Sequence, residues 1–215
     1  EIASCLVGSE MCIRDRPQRQ TVLVAKQAAQ LAVLSNNRFR LGIGVGWNKI
    51  EYEGLNETFE NRGRRQEEQV MVMRDLWTRD SLDFKGEFHR IDKASINPRP
   101  EESIPIWFGG SAPALIERVA RLGDGWMPLM GANEKAAECI EKISEARERE
   151  GKSMDGFGIQ AQAQYKEGTS NIWKKNAVSW CEMGATHLAI ATHNTGVTGV
   201  PGHLSRVEEY LRAVQ

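Results

Sequence analysis

The chain has 215 residues and a formal net charge of −1, with 28 Lys and Arg against 29 Asp and Glu. This balance gives no reason to expect nucleic acid or an acidic membrane as a partner, and no apolar run approaches the roughly 20 residues that span a bilayer. The four cysteines form no C-x-x-C pair, so we expect neither a metal site nor a disulfide framework. Composition favours a cytoplasmic enzyme that acts on a small molecule.

Residues 1–16 stand apart from the rest of the chain. They fit no strand or helix period, and they lack the apolar core and cleavage site of a signal peptide. They resemble the translated read-through of a sequencing adapter, and the alternative is a genuine amphipathic extension or targeting segment. We therefore expect a disordered, non-native leader over residues 1–16 that adds no packing, followed by one domain over residues 17–215.

Hydrophobic periodicity predicts one helix and then five strand–helix units. A long insert between the first two strands holds a further helix and a hairpin over residues 82–91, which turns at Lys85-Gly86. Strands joined through helices pair in parallel, so the predicted class is α/β. The strands are expected near residues 39–46, 104–109, 124–128, 158–165 and 186–191, and the helices near residues 21–34, 62–77, 113–122, 134–150, 171–183 and 203–214.

The first predicted strand carries glycines on one of its two faces. Large apolar side chains from Phe39 to Trp47 alternate with Arg40 and three glycines. Glycine weakens a strand, so its repetition suggests a close approach of another group to the backbone. For Gly42 we favour tight packing, whereas Gly44, Gly46 and Trp47 lie at the strand's C-terminal end, where a ligand would bind. A Rossmann loop is excluded because its third glycine would fall on Trp47 or Lys49.

A second candidate site follows the strand near residues 104–109. Gly109 and Gly110 let the backbone turn sharply, and Pro113 begins the next helix. We expect the glycine N–H groups to be uncovered and, with the positive end of the helix dipole, to attract a phosphate. Gly109, Gly110 and Ser111 are the predicted cradle.

The other polar residues suggest little chemistry. His89 and the pair Glu67-Glu68 are expected at the surface, and His203 is expected to open the last helix. The arginines of residues 62–65 stand at a helix N-terminus, an unfavourable end for positive charge. We expect them to make structural ion pairs, with contact to an anion as the alternative.

Six motifs resemble the luciferase-like monooxygenases in order and spacing, and the resemblance extends from Pro17 to the C-terminus. That superfamily contains FMN-dependent monooxygenases and deazaflavin-dependent oxidoreductases. The amino-acid sequence around residues 17–20 and 186–199 is more similar to the deazaflavin branch than to the FMN branch. The motifs are Pro17-Gln-Arg-Gln-Thr-Val-Leu-Val-Ala-Lys-Gln-Ala-Ala29, Leu41-Gly-Ile-Gly-Val-Gly-Trp47, Phe59-Glu-Asn-Arg-Gly-Arg-Arg65, Asn97-Pro-Arg-Pro100, Pro105-Ile-Trp-Phe-Gly-Gly110 and Gly123-Asp-Gly-Trp126.

The resemblance implies a (β/α)₈ TIM barrel with a flat cofactor across its mouth and the cofactor phosphate on the Gly-Gly turn. The implied cofactor is the deazaflavin coenzyme F420, which we favour, or FMN, with Gln18 and Arg19 at its edge. The implied activity is oxidoreductase or monooxygenase chemistry on a small organic substrate, in a homo-oligomer. The alternatives are a phosphate-ligand-binding barrel enzyme without a redox cofactor and a non-catalytic flavin-binding remnant.

In this family the residues before the first motif belong to the third barrel strand, which implies that this chain holds about five of the eight strands. We therefore expect an inactive fragment, and we name no catalytic acid or base. An open barrel should also expose an apolar patch around Leu41, Ile43, Leu188 and Ile190.

Overall fold

The computed structural model describes residues 16–214. The leader predicted for residues 1–16 therefore lies outside the described residues, apart from Arg16, which begins a 3-10 helix that ends at Gln18. Contacts divide the chain into two units. Among the described residues, unit 1 holds residues 16–109 together with Leu122–Asp124, and unit 2 holds Gly110–Arg121 and residues 125–214.

Unit 1 contains three α-helices, one parallel strand pair and one hairpin within the described residues. Strands β1 and β4 pair in parallel, with Leu41 opposite Ile106 and Ile43 opposite Phe108. Strand β1 is shorter than the predicted strand, and its residues are buried whichever face they occupy. The elements are α1 (Thr21–Leu34), β1 (Leu41–Ile43), α2 (Lys49–Gly54), α3 (Arg62–Thr78), β2 (Leu82–Lys85), β3 (Arg90–Ala94) and β4 (Ile106–Gly109).

Helix α1 has the predicted bounds, and its end follows from local chemistry. Asn36 and Asn37, just beyond the helix, have φ angles of 53° and 56°, the left-handed conformation that asparagine tolerates at helix ends. The buried face consists mainly of alanines, which favour helix and allow close packing. Trp77 of α3 donates its indole N–H to Ala25 O at 2.9 Å and so joins the two helices.

The predicted hairpin is confirmed, but its turn is longer than expected. Strands β2 and β3 pair antiparallel, with Lys85 opposite Arg90. Gly86 N–H donates to His89 O at 2.9 Å, so four residues connect the strands. These four residues surround a side chain of α3, which is described with the candidate site.

Unit 2 alternates strands and helices, and its strands pair in parallel. Gly125 of β5 lies opposite Gly158 of β6, and Gln160 of β6 lies opposite His187 of β7. With the β1–β4 pair of unit 1, this arrangement confirms the predicted α/β class. The elements are α4 (Pro113–Leu122), β5 (Gly125–Met127), α5 (Glu134–Arg149), β6 (Gly158–Gln164), α6 (Ser170–Glu182), β7 (His187–Ala191) and α7 (Gly199–Val214).

Two predictions from the sequence are wrong: the position at which the last helix begins, and the exposed apolar patch. Helix α7 begins at Gly199 rather than near His203, because Pro201 fits the first turn of a helix. Leu41 and Ile43 are 2% and 0% exposed, so they form no exposed apolar patch. The last strand carries no fully exposed apolar surface either, since Leu188 and Ile190 are half-buried. No helix within residues 16–214 is both long enough and apolar enough to cross a membrane.

Candidate functional site

The loop after β1 presents one large aromatic side chain to solvent. Trp47 is 86% exposed, and Gly46 before it has a φ of 73°, which favours glycine. Asn48 caps α2 by accepting from Ile50 N at 3.2 Å, and the Tyr52 hydroxyl donates to Val45 O. The loop is therefore held by the helix that follows it, while the Trp47 ring remains free to contact a ligand.

The structure places Gln18 beside this loop. Gln18 Nε2 donates to Glu51 Oε2 at 3.5 Å, and Asn48 Nδ2 donates to Glu51 Oε1 at 3.1 Å. Glu51 thus links the segment that precedes α1 to the residue after Trp47. Sequence reasoning missed Glu51, although a glutamate three residues after Asn48 is a recognisable capping signal.

Arg19 is held through its backbone rather than its side chain. Its carbonyl oxygen accepts from Gln69 Nε2 of α3 at 3.2 Å, and its side chain is exposed. Unit 1 therefore brings Gln18 to the loop that contains Gly44, Gly46 and Trp47, and it positions Arg19 immediately beside Gln18.

The turn after β4 is confirmed as a sharp glycine turn, but its hydrogen bonds differ from the prediction. Gly110 has a φ of 120°. Its N–H donates to Met127 O at 3.2 Å, so the expectation of an uncovered N–H is wrong at Gly110. Its carbonyl oxygen accepts from the Trp126 indole N–H at 2.7 Å. Both bonds use β5 to hold the turn in one conformation.

The N–H groups that remain unpaired at this turn lie one residue further along the chain. The N–H groups of Ser111 and Ala112 have no hydrogen-bond partner among residues 16–214, and Ala112 O accepts from Leu115 N at 2.8 Å as α4 begins. Pro113 lacks an N–H. The first turn of α4 contains no acidic residue, which leaves its positive dipole end uncompensated by a local carboxylate. The phosphate contact of Ser111 stays a prediction, and Ala112 offers a second N–H group beside it.

Glu68 is buried, contrary to the surface expectation. Its carboxylate accepts from the backbone N–H groups of Glu87, Phe88 and His89 at 2.7, 2.9 and 2.6 Å. Burial by itself would raise the pKa of Glu68, but the hydrogen bonds from the His89 ring and these three N–H groups together hold that pKa below its usual value. The hairpin connection therefore binds the α3 carboxylate as an anion.

His89 is not a surface residue either, because its ring bridges two helices. Nδ1 lies 2.7 Å from Glu68 Oε1, and Nε2 lies 2.6 Å from Thr21 Oγ1 at the start of α1. An ionised carboxylate only accepts, so Nδ1 carries a proton. Thr21 is 4% exposed and out of reach of a substrate, so this acid–histidine–hydroxyl chain ties elements together rather than performing catalysis. We call Glu68, His89 and Thr21 the hairpin clamp.

Two of the three arginines at the start of α3 make the structural ion pairs that the sequence predicts. Arg65 pairs with Glu57, and Arg64 pairs with Glu87 at 2.8 Å. Arg62 lies over the Phe59 ring and donates to Phe59 O at 3.0 Å.

Unit 2 has a polar network just after β6. The Tyr165 hydroxyl donates to Glu209 Oε2 at 2.6 Å, and Arg206 Nη1 lies 3.0 Å from both of these oxygens. The hydrogen bond to Glu209 raises the pKa of Tyr165, and the same bond is the largest factor that lowers the pKa of Glu209. Sequence reasoning could not connect residues 44 positions apart. The residues partly face solvent.

Neither the surface groove of the described residues nor their metal-binding side chains indicate a cofactor or metal site. A groove of about 630 Å³ lies along α1, and none of the predicted site residues lines it. Among residues 16–214 no three His, Cys, Asp or Glu side chains are grouped closely enough to hold a metal ion. The groove is lined by Gln27, Gln30, Leu31, Val33, Leu34 and Pro98.

Two curated relatives illustrate the similarity to known sequences. Uncharacterized protein Rv0940c of Mycobacterium tuberculosis is 39% identical over 152 residues, which are 66% of this chain and 52% of that protein. F420-dependent glucose-6-phosphate dehydrogenase of the same organism is 32% identical over 141 residues, covering 63% of this chain and 42% of the relative. The match thus spans about half the length of these relatives or less.

Solved structures share the fold. The coenzyme F420 dependent tetrahydromethanopterin reductase of Methanopyrus kandleri has a TM-score of 0.62 at 14% identity, covering 94% of this chain and 73% of that chain. The oxygenating constituent of 3,6-diketocamphane monooxygenase of Pseudomonas putida, in complex with FMN, has a TM-score of 0.58 at 15% identity, covering 76% and 50%. These likenesses confirm the predicted fold class, the luciferase-like TIM barrel. Residues 11–171 match the family model of the luciferase-like monooxygenases, and the chain therefore belongs to that family.

Proposed function

We propose that this protein is an oxidoreductase or monooxygenase that binds a flavin-type ring, with the deazaflavin coenzyme F420 favoured over FMN, and acts on a small organic substrate. Membership of the luciferase-like family carries the proposal. The similarity to an F420-dependent dehydrogenase supports F420, and the FMN complex of a structural neighbour keeps FMN as the second candidate.

Each unit, taken by itself, contains residues of a kind that such a cofactor needs. Ser111 and Ala112 offer backbone N–H groups at the start of α4, within a turn fixed by Trp126, and would hold a phosphate. Trp47 offers an exposed aromatic face beside Gly44 and Gly46, where the lack of side chains on the glycines would admit a flat ring.

When bound, a flavin or deazaflavin supplies the hydride or oxygen chemistry. The chain's own residues bind and orient. Gly110 shapes the turn, Ser111 holds the anionic end, and Gln18 with Arg19 borders the Trp47 loop. Glu51 keeps Gln18 next to that loop through its two hydrogen bonds. We assign no proton transfer to any of these residues.

A titration of the purified protein with F420 and with FMN, followed by fluorescence, tests the proposal. It should be run on the 215-residue chain and on the same chain with any further coding sequence that its gene supplies. We expect Gly110→Val to weaken binding at least about ten-fold, on the order of 1.4 kcal/mol. A side chain there is strained at a φ of 120°, and its Cβ would lie 3.0 Å from Leu115.

Gly131→Ala is the matched control, because a Cβ at Gly131 meets nothing within 4 Å, and it should bind like the parent protein. Unchanged affinity in Gly110→Val would place the phosphate elsewhere. Binding of neither cofactor to either form of the protein would contradict the proposal and favour a phosphate-ligand enzyme. Binding without turnover of the reduced cofactor would favour a non-catalytic flavin-binding protein.

A further inference from the structure

The buried face of α3 changes character along the helix. Residues three or four positions apart share one helix face, and Arg62, Gln66, Gln69, Met73 and Leu76 form such a stripe. Its C-terminal half is apolar and buried, as expected of a helix packed on a core. Its N-terminal half is polar, yet Gln66 and Gln69 are both 0% exposed.

The polar half has hydrogen-bonding atoms that the described chain leaves unpaired. Both ends of the Gln66 amide lack a partner among the described residues. Only one end of the Gln69 amide is hydrogen-bonded, because Nε2 donates to Arg19 O while Oε1 has no partner among the described residues. Asn61 Oδ1, Arg62 Nε and Arg65 Nε are also buried and unpaired. A buried polar atom that loses water without gaining a partner costs its full desolvation, so these atoms need a polar occupant, either ordered water or a bound ligand.

The kinds of atom define the chemistry of that occupant. The unpaired donors are two guanidinium N–H groups and the Gln66 amide, and the unpaired acceptors are three amide oxygens. A bare anion would meet the acceptors unfavourably, whereas hydroxyl groups both donate and accept. Arg65 is neutralised by Glu57, but Arg62 forms no ion pair with residues 16–214, and the helix N-terminus adds positive potential. A hydroxyl-bearing oxyanion offers both the donors and the acceptors that groups of these kinds need.

We propose that Asn61, Arg62, Arg65, Gln66 and Gln69 form a binding subsite for a hydroxylated, anionic group such as a sugar or polyol phosphate. We call it the α3 subsite. Gln69 joins it to the backbone of Arg19, and hence to the segment that holds Gln18. The group could belong to the substrate or to the cofactor, which share this chemistry. The subsite itself does not depend on the proposed redox function, and only the assignment to a cofactor rests on it.

Glycerol 3-phosphate is the probe, with inorganic phosphate and glycerol as partial probes, and the midpoint of thermal unfolding, Tm, is the readout. We expect glycerol 3-phosphate to raise Tm more than either partial probe. Gln66→Met keeps the volume but removes both unpaired atoms. It should therefore raise the Tm of the ligand-free protein and weaken glycerol 3-phosphate binding about ten-fold or more.

Gln30→Met, at an exposed position of α1, is the control. It should change neither the Tm of the ligand-free protein nor glycerol 3-phosphate binding, since Gln30 lies outside the subsite. A lower Tm or failure to fold in Gln66→Met would show that ordered water or the chain itself satisfies the amide, and would overturn the proposal. Undiminished binding of glycerol 3-phosphate by Gln66→Met would also overturn it.

Repeating the titration with saturating F420 or FMN shows whether the group that binds in the α3 subsite belongs to the cofactor or to the substrate. If the coenzyme abolishes the probe's effect, the subsite belongs to the cofactor, and if the effect persists, it belongs to the substrate. Should the protein bind neither coenzyme, the proposed function fails while the probe titration still decides the subsite.

Discussion

Each of the two units contains a carboxylate at the centre of a hydrogen-bond network, and the two carboxylates differ in their exposure and in the number of donors that they accept from. In unit 1 Glu68 is buried and accepts from three backbone N–H groups and the His89 ring. In unit 2 Glu209 accepts from Tyr165 and Arg206 with its side chain about half exposed. Both carboxyl groups have a lowered pKa.

The difference in exposure predicts that the two networks contribute unequally to the stability of the fold. Water can replace the partners of an exposed carboxylate such as Glu209, and salt screens its ion pair. Water cannot replace the partners of Glu68 without opening the hairpin connection. We therefore expect the hairpin clamp to stabilise the fold strongly and the Tyr165–Arg206–Glu209 network to contribute little.

The largest effect is expected for Glu68→Gln. The amide keeps one acceptor oxygen but places an NH₂ group against backbone N–H donors, and it removes the charge that strengthens all of the bonds. We expect the free energy of unfolding to fall by about 3 kcal/mol, measured by urea denaturation. A loss no larger than that of Glu209→Gln would contradict the expectation that the buried network contributes more to stability than the exposed one.

Acid should weaken the clamp in a defined direction. Because the folded-state pKa of Glu68 lies below its unfolded value, its contribution is complete above the unfolded pKa of about 4.3 and is lost as the pH falls through the folded value. The stability difference between the parent protein and Glu68→Gln should therefore shrink as the pH is lowered from neutral to below about 4. A difference that grows on acidification would contradict the sign of this shift.

Gly86→Ala should give the next largest effect. A Cβ at Gly86 would collide with the Glu68 carboxylate, which four hydrogen bonds hold in place, so the carboxylate or the turn must move. We expect a loss of about 2 kcal/mol in the free energy of unfolding, with Gly131→Ala as the unaffected control. In the Glu68→Gln background the two losses should not add, because they disrupt the same contact.

Two tryptophans in unit 2 are equally buried, so they test what a hydrogen-bond partner contributes when burial is the same. Trp126 and Trp180 are 0% and 1% exposed, but only Trp126 donates its indole N–H, to Gly110 O, whereas Trp180 Nε1 has no partner within the described chain. Trp126→Phe should cost about 1 kcal/mol more than Trp180→Phe and should also weaken cofactor binding. Equal losses would mean that the turn after β4 does not depend on this bond.

The smallest effect is expected for Glu209→Gln. Thermal unfolding at low salt should shift only slightly, because the residue is exposed and its ion pair is screened. At about 1 M salt the Debye length falls to about 3 Å, and the remaining difference from the parent protein should disappear. A shift that persists at high salt would show that the network is more protected from solvent than its exposure indicates.

Local signals in the sequence determined much of the fold. Helix α1, the hairpin and the start of α4 at Pro113 all depend on residues a few positions apart. The glycine pattern of the first strand and the Gly-Gly turn indicated the candidate residues at the ends of β1 and β4. The family motifs implied the barrel and added Gln18 and Arg19. Such features are readable because helix caps and strand periods involve only near neighbours.

Only the tertiary structure decided which polar residues are buried and what they contact. Glu68 and His89 were expected at the surface because these two residues contact each other across 21 positions of sequence. The Gly110 N–H was expected to be free because its acceptor, Met127, lies on another strand. The polar half of the α3 stripe has the composition of an exposed helix face. A sequence pattern reports spacing along one element, whereas burial depends on which other elements pack against it, and that depends on chain segments distant in sequence.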